Sequence, residues 1–230
     1  MNHHYGRLSA VAIGLLLPLS AIAADRQDLR DSALALNTVQ QKVQAMSSAS
    51  VQAKQGQNFA GVLKSALNMG VDADLKLEDA HSSAKTGLRH LRFRQTYKGV
   101  PILGDRVMVT RKADGSVQYL HGDVISGIAQ DIASVKPGIS LKGAMQHAKR
   151  LQRHSKPLGK ARVYKNESNE LVIWLNEQGT AKLAYATSYF SDVKGGGHPS
   201  RPMYILDAHT GEVLDAYDSL AYQEVGTGPG

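Results

Sequence analysis

The chain contains no cysteine among its 230 residues. A fold held together by disulfides is therefore excluded, and the stability of the protein must come from a hydrophobic core. The hydrophobic share of 42% is sufficient for one domain of ordinary size or for two small ones. The same share excludes a protein that is disordered throughout.

Long apolar runs are missing from the chain except at its start. Leu8–Ile22 is apolar, follows Arg7, the only full charge of Met1–Ala23, and leads into the small residues Ala-Ile-Ala. This composition is typical of a secretory signal, so we predict cleavage after Ala23, ahead of Ala24, and a periplasmic or extracellular location. The run is too short and too weakly flanked for a stable membrane span. An exported chain without cysteine suits a bacterial protein.

Charge of one sign is not concentrated in any block. Lysine and arginine outnumber the acidic residues by 27 to 20, which gives a net charge of +7. The basic residues are scattered, and no recognition-helix pattern accompanies them, so a solvated surface is favoured over a nucleic-acid site. An acidic protein partner is the more specific interpretation of the charge.

Catalytic and metal-binding motifs are missing as well. None of the nine histidines begins His-Glu-x-x-His, and no two after the signal share one helical turn. Gly-x-Ser-x-Gly and a phosphate-binding glycine loop do not occur. The carboxylate pairs Glu78/Asp79 and Asp207/Asp215 are interpreted as helix or loop charges and as turn residues. The motifs therefore predict a chain that is not an enzyme, with no catalytic residue and no metal site.

The first half of the chain changes from helical to alternating periodicity. Residues 24–70 predict a helical and loosely ordered segment, because apolar residues recur at helical spacing before a polar connector, Met46–Gly56, and again over Phe59–Met69. Alternation then predicts a strand ending at Tyr97, a turn at Lys98-Gly99, and strands over Val100–Arg111 and Val117–Ile125. The face that carries Arg92 and Arg94 is expected to be a wet sheet face. The residues at helical spacing are Leu29, Ala33, Leu36, Val39 and Val43.

The second half predicts one helix followed by antiparallel strands. Asp131–Gly138 is a linker, and Ser140 can cap a helix with an apolar stripe from Leu141 to Leu151. Trp174 and Tyr185 are expected to be packing residues. Strands are predicted over Arg162–Lys165, Leu171–Asn176, Lys182–Phe190, Met203–Leu206 and Val213–Tyr217.

The last two predicted strands form a hairpin. Asp207 can accept backbone amides ahead of it, and Gly211 can adopt the positive φ that closes the loop. The whole pattern predicts an α+β protein of two small modules, residues 71–130 and 131–218. Each module is an antiparallel sheet with a covering helix.

One passage in each half resembles a known family. Residues 95–104 (QTYKGVPILG), followed by Asp114-Gly115, resemble the signature of the fungalysin/thermolysin propeptide (FTP) module. Residues 183–185, 200–202 and 206–215 resemble the PepSY-type second half of the same propeptides, with the nearest likeness to precursors of secreted bacterial elastases and vibriolysins. The motif positions are Gln95, Tyr97, Gly99, Pro101, Gly104, Asp207, Thr210 and Gly211.

The resemblance implies a cleavage site at the end of the chain. In this family a zinc protease domain follows the propeptide, so the scissile bond is expected near Tyr222–Gln223, and residues 219–230 are a cleavage tail with the start of the mature enzyme. Zinc and calcium are expected only in that protease domain, and no cofactor in this chain. The residues expected to contact the protease are Tyr217, Asp218, Ser219, Leu220, Ala221 and Tyr222.

The resemblance also implies a function and leaves two alternatives. The chain is expected to be an intramolecular chaperone and temporary inhibitor of a cognate thermolysin-like protease, in cis or in trans. One alternative is that it is the N-terminal fragment of the metalloendopeptidase precursor itself. The other is a free-standing secreted protease inhibitor that chaperones nothing.

Overall fold

The computed structural model describes residues 24–30, 32–45, 57–155, 161–196 and 198–220. The predicted secretory signal lies outside these residues, as do Ala221, Tyr222 and Gln223 of the predicted cleavage tail. The helices described are α1 (Ala33–Gln44), α2 (Gln57–Ala66), α3 (Ile128–Asp131) and α4 (Leu141–Ser155). The strands are β1 (Asp25–Asp28), β2 (Ala73–Ser82), β3 (Arg89–Tyr97), β4 (Val100–Arg111), β5 (Val117–Ser126), β6 (Arg162–Leu175), β7 (Ala181–Val193), β8 (Pro202–Asp207) and β9 (Val213–Asp218).

Within the described residues these strands form one sheet in the order β1-β5-β4-β6-β7-β8-β9, and β2 and β3 branch from β4. The pairs are antiparallel except β4–β6, which is parallel and meets at Ile102 and Ile173. The predicted α+β class is confirmed. The prediction of two separate sheets is not confirmed, because β4 pairs with β3 and β5 and also contacts β6. The module boundaries at 71–130 and 131–218 stay predictions.

Two hydrophobic cores fix the helices against the sheet. Helices α1 and α2 bury Val39 and Leu63 against Phe93 of β3 and Val107 of β4. Helix α4 packs its small residues against β6, β7 and β8, in a core that also includes Tyr97 and Ile102 of the first half. Each large apolar side chain that is fully buried contributes about 1.5–3 kcal/mol, so these contacts dominate the stability of the fold.

Local capping signals place the helices where the sequence predicts them. Ser32 Oγ accepts a hydrogen bond from the Ala35 amide at 3.2 Å at the start of α1. Ser140 Oγ accepts one from the Gly143 amide at 3.1 Å, which confirms the predicted cap of α4. Leu29 is not helical as its spacing predicted, but it is buried in the core of the first half.

Two predictions of secondary structure are wrong. Glu78 and Asp79 lie in β2, which was not predicted because most of its side chains are exposed and only Leu75 is buried. The strands predicted over Arg162–Lys165 and Leu171–Asn176 are one strand, β6, whose register against β7 shifts between Lys165 and Ser168. In both places the strand residues are mostly polar and exposed, so the sequence has no hydrophobic pattern there.

The helices lie on one side of the sheet. Arg94 of β3 is on the face opposite α1 and α2, and Glu170 of β6 is on the face opposite α4. Their side chains form a bidentate ion pair, with Nη1–Oε1 and Nη2–Oε2 distances of 2.8 and 2.9 Å. The two faces without helices are therefore continuous across the junction between β4 and β6.

Candidate protein-interaction site

The turn between β3 and β4 has the predicted residues in the geometry that they favour. Lys98 and Gly99 have φ values of +46° and +81°, the two positive angles of a type I′ hairpin turn. The Lys98 amide donates to the Asp72 carbonyl at 2.7 Å, and its Nζ donates to the Ala133 carbonyl at 3.2 Å. The turn is thereby fixed against the start of the second half.

The side chain of Gln95 makes backbone hydrogen bonds that a neighbouring strand would otherwise make. It is 1% exposed, its Nε2 donates to the Ile125 carbonyl at 2.6 Å, and its Oε1 accepts from the Ile125 amide at 2.9 Å. Both bonds are needed because β4 pairs with β5 only from Val107 and Gly122 onward and does not reach Ile125. The side-chain amide thus pairs two buried backbone groups that would otherwise be unsatisfied.

The remaining positions of the first motif lie where β4 changes partners. Thr96 faces Pro101 and Arg94 faces Arg106, so the residues between Pro101 and Arg106 leave β3 and reach β6. Gly104 within this segment has a φ of +92°, which a residue with a Cβ adopts only with strain. Tyr97 Oη donates to the Ile132 carbonyl at 3.3 Å across the two halves. The motif therefore builds the junction between the halves and is not a catalytic site.

A buried carboxylate lies beside this junction. Asp105 is almost fully buried, and its Oδ2 is 3.2 Å from Arg26 Nη2 of β1. Burial raises the pKa of Asp105, and the nearby charge of Asp123 raises it further, whereas Arg26 opposes the shift. This carboxylate is paired with Arg26.

The second motif forms the hairpin between β8 and β9 as the sequence predicts. Asp207 Oδ1 accepts from the amides of His209 and Thr210 at 2.8 and 3.1 Å, and Gly211 has a φ of +80°. Burial alone would raise the pKa of Asp207, but the two amide bonds and Lys182 outweigh it, so the pKa lies below its usual value. These residues stabilise a turn and have no catalytic geometry.

The hairpin also fastens the linker that precedes α4. The carbonyl of Ala208 accepts from the amides of Gly138 and Ile139 at 2.9 and 3.0 Å. A Cβ on Gly138 would lie 2.9 Å from the carbonyl oxygen of His209, so the two segments need glycine there. The end of the described chain therefore closes the second half.

The described part of the predicted tail is hydrogen-bonded to the rest of the chain through one residue, Arg201. Asp218 Oδ1 accepts from the amides of Arg201 and Leu220 at 2.8 and 3.0 Å. The amide and hydroxyl of Ser219 both donate to the Arg201 carbonyl at 2.9 Å. Tyr217 has a side chain that is 53% exposed, so of these tail residues it presents the largest free contact surface. Their role toward a protease stays a prediction.

Sequence reasoning missed the uncovered face of the sheet, which has a charged half and an apolar half. On the charged half the cations are paired with acids, so the predicted wet face is an ion-pair network that includes Arg94 at 17% side-chain exposure. On the apolar half, a cluster forms around buried side chains of β6, β7 and β8. We name this cluster the apolar face; it consists of Leu103, Val172, Trp174, Ala184, Ala186, Met203, Ile205 and Leu214.

One signal in the sequence could have located the apolar face. Residues 171–175 (LVIWL) are apolar at every position, and such a run is typical of a strand buried on both sides. Helix α4 covers one side of this strand, in contact with Ile173. Val172 and Trp174 point to the other side, where only strand residues join the cluster among those described.

No group of three or more His, Cys, Asp or Glu side chains in the described residues is arranged to hold a metal ion. None of the helices described is long and apolar enough to cross a membrane.

Comparison with known families and proteins gives the class to which this geometry corresponds. Residues 73–124, from β2 to most of β5, match the Fungalysin/Thermolysin Propeptide Motif. The resemblance stated for residues 95–104 is thereby confirmed. The resemblance of the second half to PepSY stays a prediction.

Among curated proteins, the chain is similar to proteases of Vibrio. It is 34% identical over 142 residues to the Neutral protease of Vibrio proteolyticus, across 61% of this chain and 22% of that protein. It is 33% identical over 143 residues to the Hemagglutinin/proteinase of Vibrio cholerae, across 61% and 22%. It is 28% identical over 177 residues to the Virulence metalloprotease of Vibrio anguillarum, across 74% and 28%.

The chain thus covers 22% to 28% of the length of these relatives. Among solved structures, the Bacillus megaterium YpeB C-terminal domain is aligned across 80% of this chain and 64% of that one. Its identity of 18% and TM-score of 0.27 are too low to support any statement on fold or function.

Proposed function

We propose that this chain is the propeptide of a secreted thermolysin-like zinc metalloprotease, and that it serves the enzyme as folding chaperone and temporary inhibitor. The observation that carries the proposal is the propeptide motif at residues 73–124 on a folded sheet, in a chain that covers 22% of the length of the proteases to which it is similar.

The chaperone role follows from how such proteases are stabilised. A protease that is protected by a high unfolding barrier rather than by large equilibrium stability also refolds slowly, because the folding and unfolding barriers differ only by that stability. A rigid partner that binds the late folding intermediate lowers that barrier. If the partner is covalently attached, its effective concentration is on the order of millimolar, so even a weak contact is occupied.

The inhibitory role is assigned to the tail after β9. Asp218 Oδ1 accepts from the amides of Arg201 and Leu220, and Ser219 donates to the Arg201 carbonyl, so the residues that follow leave the sheet from a defined point. We propose that residues 217–223 run through the active-site cleft until cleavage near Tyr222–Gln223, and that the second half provides the docking surface. Zinc and calcium belong to the protease domain in this proposal, and export depends on the N-terminal signal.

The test uses the chain, purified after export, and the Neutral protease of Vibrio proteolyticus as the probe enzyme. The enzyme is unfolded in guanidinium chloride and diluted with or without equimolar chain, and recovered peptidase activity is measured. In a second assay the chain is added to the folded enzyme. We expect a higher yield in the first assay and inhibition in the second. If the yield is unchanged and the folded enzyme stays fully active, both roles are refuted.

The alternatives predict different results in the same experiments. Inhibition of unrelated proteases without any gain in refolding would favour a free-standing inhibitor. A reading frame that continues beyond Gly230 into His-Glu-x-x-His would identify the chain as the N-terminal part of the precursor itself.

A further inference from the structure

The apolar face defined above has the composition of a binding surface. Its centre, Val172 and Ile205, is buried by neighbouring side chains, and Trp174 and Met203 remain half-buried around them. A tryptophan that is partly exposed on an apolar surface is typical of the residues that dominate binding energies. Methionine adapts its shape to a partner. The cluster contains strand residues only, so among the described residues no helix covers it.

The surroundings of the apolar face have the polar character of an interface rim. Glu170 and Arg94 form their bidentate pair along one border, and Lys182 Nζ lies 3.9 Å from Asp207 Oδ2 along another. An apolar centre with a polar border is the anatomy of protein–protein interfaces. The charged half of the sheet is a weaker candidate for docking, because Glu78, Asp79 and Glu170 already pair with its arginines.

The path of the chain indicates what covers the apolar face. Leu214 belongs to the cluster, and β9, the last strand, leads into the tail fixed at Arg201. The four strands β6–β9 extend over roughly 15 Å at about 4.8 Å per spacing. The ten residues 221–230 can span up to roughly 33 Å when extended. A domain joined to the tail is therefore within reach of the whole face.

We propose that the apolar face docks the folded catalytic domain of the metalloprotease, with Trp174 as the anchor. This inference rests on the proposed function and adds the side of the sheet that the enzyme contacts. The apolar face is roughly 15 Å wide across the strands and roughly 17 Å long along them, so its area is only about 250 Å². A stable interface buries about 800 Å² on each partner. The face is thus the centre of the interface, and the tail and the polar border complete it.

The first arm of the test measures inhibition of the folded Neutral protease of Vibrio proteolyticus by the wild-type chain, Trp174→Ala and Met203→Ala. The matched control is Leu34→Ala, a truncation at an exposed leucine of α1 on the helical side. We expect Trp174→Ala to raise the inhibition constant about 30-fold, as for a central anchor, and Leu34→Ala to leave it unchanged. Circular dichroism and the melting temperature establish that each variant is folded.

The second arm needs no variant. The chain has one tryptophan, so labelling with 5-fluorotryptophan gives a single 19F resonance from Trp174. In the free chain we expect a soluble gadolinium chelate to broaden this resonance. With the protease added we expect the resonance to shift and to be protected from the chelate.

Each outcome decides the inference. If the wild-type chain neither inhibits nor assists refolding, the proposed function fails and this inference fails with it. If the wild-type chain inhibits while Trp174→Ala and Met203→Ala inhibit equally well, only the inference is overturned. It is also overturned if the resonance is protected from the chelate in the free chain. Such protection would mean that another segment covers the apolar face, or that the chain forms a dimer. Light scattering would detect the dimer, and Trp174→Ala would dissociate it.

Discussion

Replacement of Gln95 by methionine tests whether a side-chain amide substitutes for a strand at the junction. Methionine has nearly the same length and volume but cannot pair with the backbone of Ile125. The variant leaves a buried amide and a buried carbonyl without the bonds of 2.9 and 2.6 Å that the wild type provides. Each unsatisfied buried group costs about 1–3 kcal/mol, and the more apolar side chain recovers part of this. We expect a net loss of about 2–4 kcal/mol in the free energy of unfolding.

The loss is measured by urea unfolding, followed by the fluorescence of Trp174. A change of 1 kcal/mol shifts the melting temperature of a protein of this size by about 2–4 °C, so we expect a decrease of roughly 4–16 °C. The matched control is Gln178→Met, at an exposed turn position whose side chain has no such partner in the described hydrogen bonds. If Gln95→Met costs no more than Gln178→Met, the pairing with Ile125 does not stabilise the junction and the reasoning is refuted.

Three further perturbations test other parts of the fold. In Asp207→Asn the turn keeps an acceptor oxygen but loses the charge. The lowered pKa of Asp207 stabilises the folded state at pH values above 3.8, the ordinary pKa of the group, and this contribution is lost as the pH falls through the folded pKa. The variant should therefore be less stable than the wild type at pH 7. In urea titrations it should also lose less stability between pH 7 and pH 3. Gly122→Ala should prevent folding, because φ at this position is +98° and a Cβ would lie 1.9 Å from a backbone oxygen. Gly99→Ala, at φ +81° with open space around the new Cβ, should lower the free energy of unfolding by only about 1–2 kcal/mol, as measured from the melting temperature. A double-mutant cycle on Arg94→Met and Glu170→Gln should give a coupling of at most about 1 kcal/mol that weakens with salt, since Glu170 is 49% exposed. An unchanged pH dependence, a folded Gly122→Ala protein or a coupling that is insensitive to salt would contradict the respective prediction.

Local signals in the sequence were sufficient for the hairpins. The turn at Lys98-Gly99 and the Asp207–Gly211 loop are encoded by residues within a few positions of each other, and glycine at a positive φ has few alternatives. The alternation in β3 likewise predicts the burial of Leu91 and Phe93 and the exposure of Arg92. These elements depend on chemistry that the neighbouring residues supply.

The junction and the apolar face depend on contacts between distant residues. The sequence pattern of β4 does not indicate that Ile102 meets Ile173, because a single parallel contact adds no periodicity. The bond between Gln95 and Ile125 joins residues that are 30 positions apart. The exposure of Trp174 depends on which side of β6 the helix α4 packs, and the run at residues 171–175 is equally apolar on both sides.

The closure of the second half by its last hairpin has a consequence for biosynthesis. The amides of Gly138 and Ile139 find their acceptor only when Ala208 has left the ribosome, some 70 residues later. Translation adds about 5–20 residues per second, so Ala208 is made within seconds of the start of α4 and these hydrogen bonds can then form. Any domain encoded downstream would then leave the ribosome next to a second half that has already folded. The order of translation would therefore make the folded second half available before that domain folds.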